Sequence, residues 1–178
     1  KLEKTRNKAL IEILYASGMR VSELVSLRKS LFIGAPEIIL IKGKGSKERM
    51  VPISKLAISA IKKYLGELKK TNIAFYESDF LFPSRSKNGY LNRERFFLII
   101  KKIAEFAGLN SRDISPHKIR HAFASHLLSN GADLRVIQTL LGHKNLSTTE
   151  IYTHILDEKM IKSIQKNHPF AKKDLKNL

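Results

Sequence analysis

The sequence predicts a single mixed α+β domain that is mostly α-helical, with a small antiparallel β-sheet built around one hairpin. Apolar residues recur at spacings of three and four through most of the 178 residues, which is typical of amphipathic helices. Residues 37–53 depart from this pattern, because two β-branched apolar runs flank a turn that contains glycines. The length is that of one ordinary domain, and a hydrophobic fraction of 43% is typical of a packed core.

The amino-terminal region is predicted to form two helices separated by a glycine. The first should cover residues 5–16 and end at Gly18. Its apolar face consists of Leu10, Ile11, Leu14 and Tyr15. A second, short helix should begin near Val21, with a buried side made of Val21, Leu24, Val25 and Leu27.

The middle of the chain is predicted to contain the hairpin and two long helices. The strands should cover residues 37–41 and 49–53, and the glycines of residues 42–47 supply a turn with a strongly basic tip. Beyond the hairpin, the pattern predicts a helix over residues 55–68, an extended segment at 80–83 and a helix over 93–107.

The helix with the clearest boundary signals is predicted over residues 115–128. Ser115 is a favoured N-cap, and Pro116 suits the first helical position, where its missing N–H costs nothing. At 100° per residue, the side expected to face the core holds Ile119, Ala122, Phe123, His126 and Leu127. The opposite side holds His117, Arg120, His121 and Ala124.

Two further helices are predicted after this one. Asp133 should cap a helix over residues 134–141, which Gly142 ends. Ser147 and Glu150 form a capping box for a helix that carries Tyr152.

Charge indicates the class of partner. Thirty-three Lys and Arg against sixteen Asp and Glu give a formal net charge of +17. Such an excess repels itself but favours a polyanion, since neutralising phosphates releases counterions, so we expect nucleic-acid binding. No apolar run approaches the ~20 residues of a membrane span, and no signal-peptide pattern opens the chain. We therefore expect an intracellular, cytoplasmic protein with no membrane partner.

Several residues have the chemistry to bind or attack a phosphate. His117 and Arg120 lie three apart on a polar helix face, and the guanidinium fork suits two phosphate oxygens. His143 follows a helix stop, on a loop, and Tyr152 comes nine residues later. Arg20 is predicted at a helix start, close to an acidic residue.

Five segments, in this order, closely resemble the motifs of the tyrosine recombinase (phage integrase) family. They are GMRVSEL at 18–24, GKGSKER at 43–49, SPHKIRHAFA at 115–124, LLGH at 140–143 and IYTH at 151–154. The wording of these motifs is nearest the Xer branch, which resolves chromosome dimers in bacteria. The resemblance implies a site-specific recombinase that cleaves and rejoins DNA strands, in chromosome dimer resolution or DNA integration.

The resemblance also implies a role for each candidate residue. Tyr152 would attack the DNA and form a 3′-phosphotyrosine link, while Arg20 and Arg120 would clamp the nonbridging oxygens of the scissile phosphate. The other implied roles are phosphate hydrogen bonding and proton handling for His117 and His143, protonation of the leaving 5′ oxygen for Lys44, and support of Arg20 for Glu23. Lys42 and Lys47 flank the same turn, are expected to bind DNA, and remain alternatives to Lys44 as the acid.

The resemblance further implies the partners and the domain organisation. No ATP is expected, because the covalent intermediate keeps the energy of the broken bond, and no metal or other cofactor is expected, because the arginines replace divalent cations. The expected partners are double-stranded DNA that carries a recombination site and a tetramer of protomers on two such sites, in which a paralogous recombinase is a candidate member. Residues 1–178 are expected to be the catalytic domain without the family's amino-terminal DNA-clamp domain. Residues 157–178 are expected to form a helix and tail that either dock on another protomer or pack against this domain and complete its own core.

Three alternatives remain open. A metal-dependent phosphodiesterase could hold zinc with His117 and His121, four residues apart on a helix, although the surrounding basic groups disfavour a cation. A DNA-binding protein on the same scaffold could lack catalysis, and a type IB topoisomerase would share the chemistry.

Overall fold

Helices α1 (Leu2–Ser17) and α3 (Lys55–Thr71) pack along each other and carry much of the main core. The structure is a computed structural model that describes residues 1–43 and 48–141. Leu10 and Leu14 of α1 are fully buried, whereas Tyr15 is only partly buried. The predicted helices at 5–16 and 55–68 are confirmed, each extended by a few residues.

The predicted hairpin is confirmed, with each strand shifted by one residue. Strands β1 (Ile38–Lys42) and β2 (Glu48–Pro52) pair antiparallel, from Ile38 opposite Pro52 to Lys42 opposite Glu48. Side chains alternate between the two faces of a strand, so Ile39, Ile41 and Val51 are buried while Leu40 is exposed. Residues 44–47, at the tip of the hairpin, lie outside the described residues.

The chain also contains three elements, one before the hairpin and two after it, that the sequence pattern did not predict. These are a 3₁₀ helix at Lys29–Phe32, helix α4 (Ile73–Glu77) and a 3₁₀ helix at Ser111–Asp113. Helix α4 directly follows α3, because the Asn72 side chain accepts a hydrogen bond from the Phe75 N–H at 3.0 Å and starts a new helix. The predicted extended segment at 80–83 forms isolated bridges with Arg28 and Tyr90.

Helix α5 (Arg93–Phe106) confirms the helix predicted over residues 93–107. Asn92 caps it by accepting a hydrogen bond from the Arg95 N–H at 2.8 Å. Its buried face of Phe96, Ile99 and Ile100 packs into the main core. Within the part of the chain that the structure describes, no helix is both long and apolar enough to cross a membrane.

Helices α6 (Pro116–Ser129) and α7 (Leu134–Leu141) form a second, smaller core. Its buried members are Phe123, Leu127, Ala132, Ile137, Leu140 and Leu141. The predicted caps are confirmed, since Ser115 accepts from the Lys118 N–H at 3.2 Å and Asp133 accepts from the Arg135 N–H at 2.7 Å. The predicted Tyr152 helix and the segment at 157–178 lie outside the described residues.

The predicted position of His126 in the core of α6 is wrong. His126 is exposed, and its Nδ1 lies 2.7 Å from the Tyr15 hydroxyl at the edge of the α1–α6 contact. An imidazole needs hydrogen-bond partners for its ring nitrogens, and the rim of the interface supplies one without desolvating the other.

Candidate active site

The turn after α1 brings the first candidate arginine against α6. Gly18 caps α1 in the left-handed conformation (φ 58°), and its N–H donates to the Leu14 carbonyl at 2.9 Å. A Cβ added at Gly18 would lie 2.3 Å from Cδ1 of Phe123, well inside contact distance. Glycine is therefore required twice here, for the positive φ and for the close approach of the Phe123 ring on α6.

Arg20 and Glu23 are joined at the start of helix α2 (Val21–Val25). The Glu23 carboxylate accepts the Arg20 backbone N–H at 2.7 Å through Oε2, and Arg20 Nη1 at 3.3 Å through Oε1. The Glu23 side chain is only 6% exposed, whereas the Arg20 side chain is 41% exposed. The carboxylate thus orients an arginine whose guanidinium still reaches the surface.

A third arginine, Arg49 on β2, completes this group. Its Nη1 and Nη2 each donate to one oxygen of Glu23 at 2.7 Å, and its Nε donates to the Leu140 carbonyl at 3.0 Å. Arg49 was not among the site residues predicted from the sequence. A signal was present, because Arg49 lies two residues before Val51 on the inward face of β2, where a cation requires a buried acidic partner.

Arg120 of α6 joins the α1–α2 turn to the end of α7. Its Nη1 donates to the Gly18 carbonyl and its Nη2 to the Leu141 carbonyl. Burial lowers the pKa of Arg120 to about 10, the nearby Arg20 and Arg49 charges also lower it, and Glu23 raises it. The guanidinium remains protonated at neutral pH, and burial is the largest cause of its lowered pKa.

Glu23 is the acidic centre of this cluster. Burial raises the pKa of Glu23. Hydrogen bonds from Arg49 and from the Arg20 N–H, together with both guanidinium charges, lower it by more than burial raises it, so the pKa of Glu23 is below its usual value. One ionised carboxylate therefore lies among three guanidiniums, and the cluster carries an excess of positive charge. Such an excess suits an anionic ligand.

The structure brings together only some of the predicted site residues. His117 is exposed on the first turn of α6, three residues before Arg120 and so on the same side of the helix. Lys42 ends β1, is largely exposed and pairs with Glu48 at 3.8 Å. Lys44, Lys47, His143 and Tyr152 lie outside the described residues.

The donor set around His117 bears on the zinc alternative. His121, its predicted partner, is also exposed on α6. Among residues 1–43 and 48–141, no three His, Asp or Glu side chains are grouped closely enough to hold a metal ion. The charged groups that surround Arg120, three residues after His117, are mainly guanidiniums, which disfavour a bound cation.

Comparison with known proteins identifies the family. A family model described as the phage integrase family matches residues 1–159. The tyrosine recombinase XerD of Rhizobium meliloti (strain 1021) is 52% identical over 171 residues, which cover 96% of this chain and 54% of that protein. XerD of Agrobacterium fabrum (strain C58) is 49% identical over 191 aligned residues, which cover 99% of this chain and 57% of that protein.

Solved structures agree with these matches. The integrase of mycobacterium phage Brujita superposes with a TM-score of 0.73 at 26% identity, covering 97% of this chain and 55% of that one. The XerH site-specific recombinase, bound to its difH substrate before cleavage, superposes with a TM-score of 0.68 at 34% identity, covering 89% of this chain and 45% of that one. The chain spans about half the length of the curated relatives that it matches. It belongs to the phage integrase family of tyrosine recombinases.

Proposed function

We propose that this chain is the catalytic part of a site-specific DNA recombinase, in which Tyr152 cleaves one strand and the strands are then rejoined. The observation that carries the proposal is the guanidinium cluster, in which Arg120 of α6 donates to the Gly18 carbonyl, two residues before Arg20, and Glu23 binds the Arg20 guanidinium. A preorganised group of cations stabilises the charge that builds on a phosphate in the transition state.

The two arginines are suited to hold the nonbridging oxygens of the scissile phosphate. A guanidinium has five N–H donors, and two of those on Arg120 are used by backbone carbonyls. The donors that remain can bind a phosphate, while the carbonyl contacts prevent the side chain from moving away from it. Arg20 is held by Glu23, which accepts one hydrogen bond from the Arg20 guanidinium and one from its backbone N–H.

The proposed reaction exchanges one phosphoester for another. The Tyr152 oxygen forms a bond to phosphorus, the bond from phosphorus to the 5′ oxygen breaks, and the cleaved strand stays attached to the enzyme through its 3′ phosphate. The phenol has a reference pKa near ~10, so its attack needs a proton acceptor and a positive field, which His117, His143 and the arginines would supply. Lys44 would protonate the leaving 5′ oxygen.

Rejoining is the reverse step with a different 5′ hydroxyl. Because the phosphotyrosine ester conserves the energy of the bond that was broken, the cycle needs no ATP. The arginines would neutralise the phosphate charge, which divalent cations do in many nucleases, so no metal or other cofactor is proposed.

The proposed partner is double-stranded DNA that carries a recombination site. A net charge of +17 favours phosphate binding, and the related XerH was solved on its difH substrate. Lys42 and Lys47 would add contacts to the DNA backbone beside the catalytic lysine. We further propose a tetramer on two DNA sites, with a paralogous recombinase as a candidate member and residues 157–178 docking between protomers.

The relatives named XerD support a role in resolving chromosome dimers before bacterial cell division, and therefore at the nucleoid in the cytoplasm. DNA integration is the second role that the family match supports, because the family is named for phage integrases. Dimer resolution requires strand exchange between two sites on one DNA molecule, whereas integration requires exchange between sites on separate molecules. Comparing the two rates distinguishes these roles.

A covalent-trapping experiment tests the proposed function. The chain is incubated in EDTA with a nicked suicide duplex whose binding site was selected from random-sequence DNA by the chain itself. Loss of the short cleaved strand then prevents rejoining, so a recombinase accumulates a protein–DNA adduct, and Tyr152→Phe is the control. A non-catalytic DNA-binding protein forms no adduct. A metal-dependent phosphodiesterase would leave free DNA ends and no adduct, and EDTA would block its cleavage. A topoisomerase relaxes supercoiled DNA without requiring the selected site.

A further inference from the structure

Arg49 lies where three segments of the chain meet, yet none of the catalytic roles proposed above uses it. Its guanidinium connects β2 with Glu23 of α2 and with the Leu140 carbonyl near the end of α7. Leu140 and Leu141 directly precede the Gly142-His143 segment, and Arg120 binds the Leu141 carbonyl. One side chain of the hairpin thus contacts both Glu23, which binds Arg20, and Leu140, which lies three residues before His143 in the sequence.

The contacts of Arg49 are directed at the protein and not at a ligand. Each of its three nitrogens donates to a protein acceptor, at 2.7, 2.7 and 3.0 Å. Its side chain is only 11% exposed, compared with 41% for Arg20. A residue with this burial and this donor use is suited to hold other groups in place.

The group that Arg49 holds most firmly is the Glu23 carboxylate. Oε1 of Glu23 accepts from both Arg49 Nη1 and Arg20 Nη1, and Oε2 accepts from both Arg49 Nη2 and the Arg20 N–H. A two-point contact fixes the plane of the carboxylate, which a single-point contact cannot do. The orientation of the Arg20 guanidinium therefore depends on Arg49 through Glu23.

We infer that Arg49 is a positioning residue, which sets Arg20 through Glu23 and holds the hairpin and the end of α7 in register with it. The inference rests on the proposed function, because it assigns Arg20 to the scissile phosphate. Arg49 itself touches no reacting atom. Its removal should slow cleavage more than it weakens DNA binding, since a side chain that is 11% exposed and bonded to protein acceptors is poorly placed to contribute a phosphate contact.

The main test variant is Arg49→Lys, which keeps the charge but replaces the planar fork with a single ammonium. Arg49→Gln is the second variant, in case lysine does not fit the buried space. Arg28→Lys is the matched control, because Arg28 makes an exposed ion pair with Asp79 at 3.1 Å and takes no part in the hydrogen bonds around Glu23. Each protein is tested on the selected nicked duplex and on the same duplex with a methylphosphonate at the cleavage position.

The methylphosphonate separates positioning from general damage. It lacks the negative charge that Arg20 would neutralise, so a defect that acts through Arg20 becomes smaller on this substrate. We expect Arg49→Lys to slow cleavage of the normal phosphate by on the order of 10²-fold, as misplacement of a catalytic group does, and to recover much of that loss on the methylphosphonate. Arg28→Lys should match the wild type on both substrates.

A second measurement follows the position of Arg20 without any reaction. Because the Arg20 N–H donates to Glu23 at 2.7 Å, its amide proton resonance should move upfield in Arg49→Lys and remain in place in Arg28→Lys. An unmoved resonance, an unimpaired rate, or an equal loss on both substrates would overturn the inference. If the wild type forms no adduct, the proposed function fails, and the amide resonance still decides whether Arg49 positions Arg20.

Discussion

Replacing Gly18 with alanine should destabilise the domain more than the same change at other glycines with a positive φ. The left-handed backbone (φ 58°) costs a non-glycine residue roughly 1–2 kcal/mol. The new Cβ would also meet the Phe123 ring, 2.3 Å from Cδ1 and 2.6 Å from Cε1, and overpacking of this kind typically costs ~1–3 kcal/mol. The expected loss is therefore about 2–5 kcal/mol, against a total stability of about 5–15 kcal/mol.

Gly34→Ala is the matched control for this prediction. Gly34 has φ 77°, but an added Cβ would have no neighbour within 4 Å, so only the backbone cost of roughly 1–2 kcal/mol should remain. Urea unfolding of the wild type and both variants measures the difference directly. Equal losses at Gly18 and Gly34 would refute the close approach of the α1–α2 turn to α6. Equal losses would also contradict the hydrogen bond between Arg120 and the Gly18 carbonyl.

Two further predictions concern the charged groups of the site. The folded pKa of Glu23 is lowered, so its stabilising effect is present above the ordinary value of 4.5 and is lost as the pH falls through the folded pKa. Urea unfolding at neutral pH and at pH values below 4.5 should therefore show a smaller acid-dependent loss for Glu23→Gln than for the wild type, and an equal loss would contradict the ion pairs. Lys44→Ala should recover cleavage on a duplex with a 5′-phosphorothiolate bridge, whose better leaving group needs no acid, whereas Arg20→Ala should not. Recovery of Lys42→Ala or Lys47→Ala in its place would move the acid to that lysine.

The elements with strong local signals were predictable from the sequence. The caps at Ser115 and Asp133 are formed by side chains that bond to the backbone within three residues, so the sequence alone contains both partners. The hairpin was predictable for the same reason, because β-branched runs and glycines lie next to each other. Helix α4 was missed, since it follows α3 with only Asn72 between them and lacks a buried face of its own.

Three members of the guanidinium cluster were predictable from the sequence, but Arg49 and the contacts between the members were not. The family motifs single out Arg20, Glu23 and Arg120, yet the contacts that organise them cross long stretches of chain. Arg49 bonds to a carboxylate 26 residues earlier and to a carbonyl 91 residues later, and no local pattern contains either partnership. His126 was misplaced because helical periodicity assigns a side of the helix but does not say where the neighbouring helix ends.

Mass-spectrometric identification of the DNA-linked residue is the measurement that tests the central claim most directly. The adduct trapped on the nicked suicide duplex is digested with protease and nuclease, and the peptide that carries the nucleotide remnant is sequenced. We expect the remnant on Tyr152, joined through a 3′ phosphate, and no adduct from Tyr152→Phe. A remnant on another residue, or an adduct that persists in Tyr152→Phe, would contradict the assignment of the nucleophile and with it the proposed mechanism.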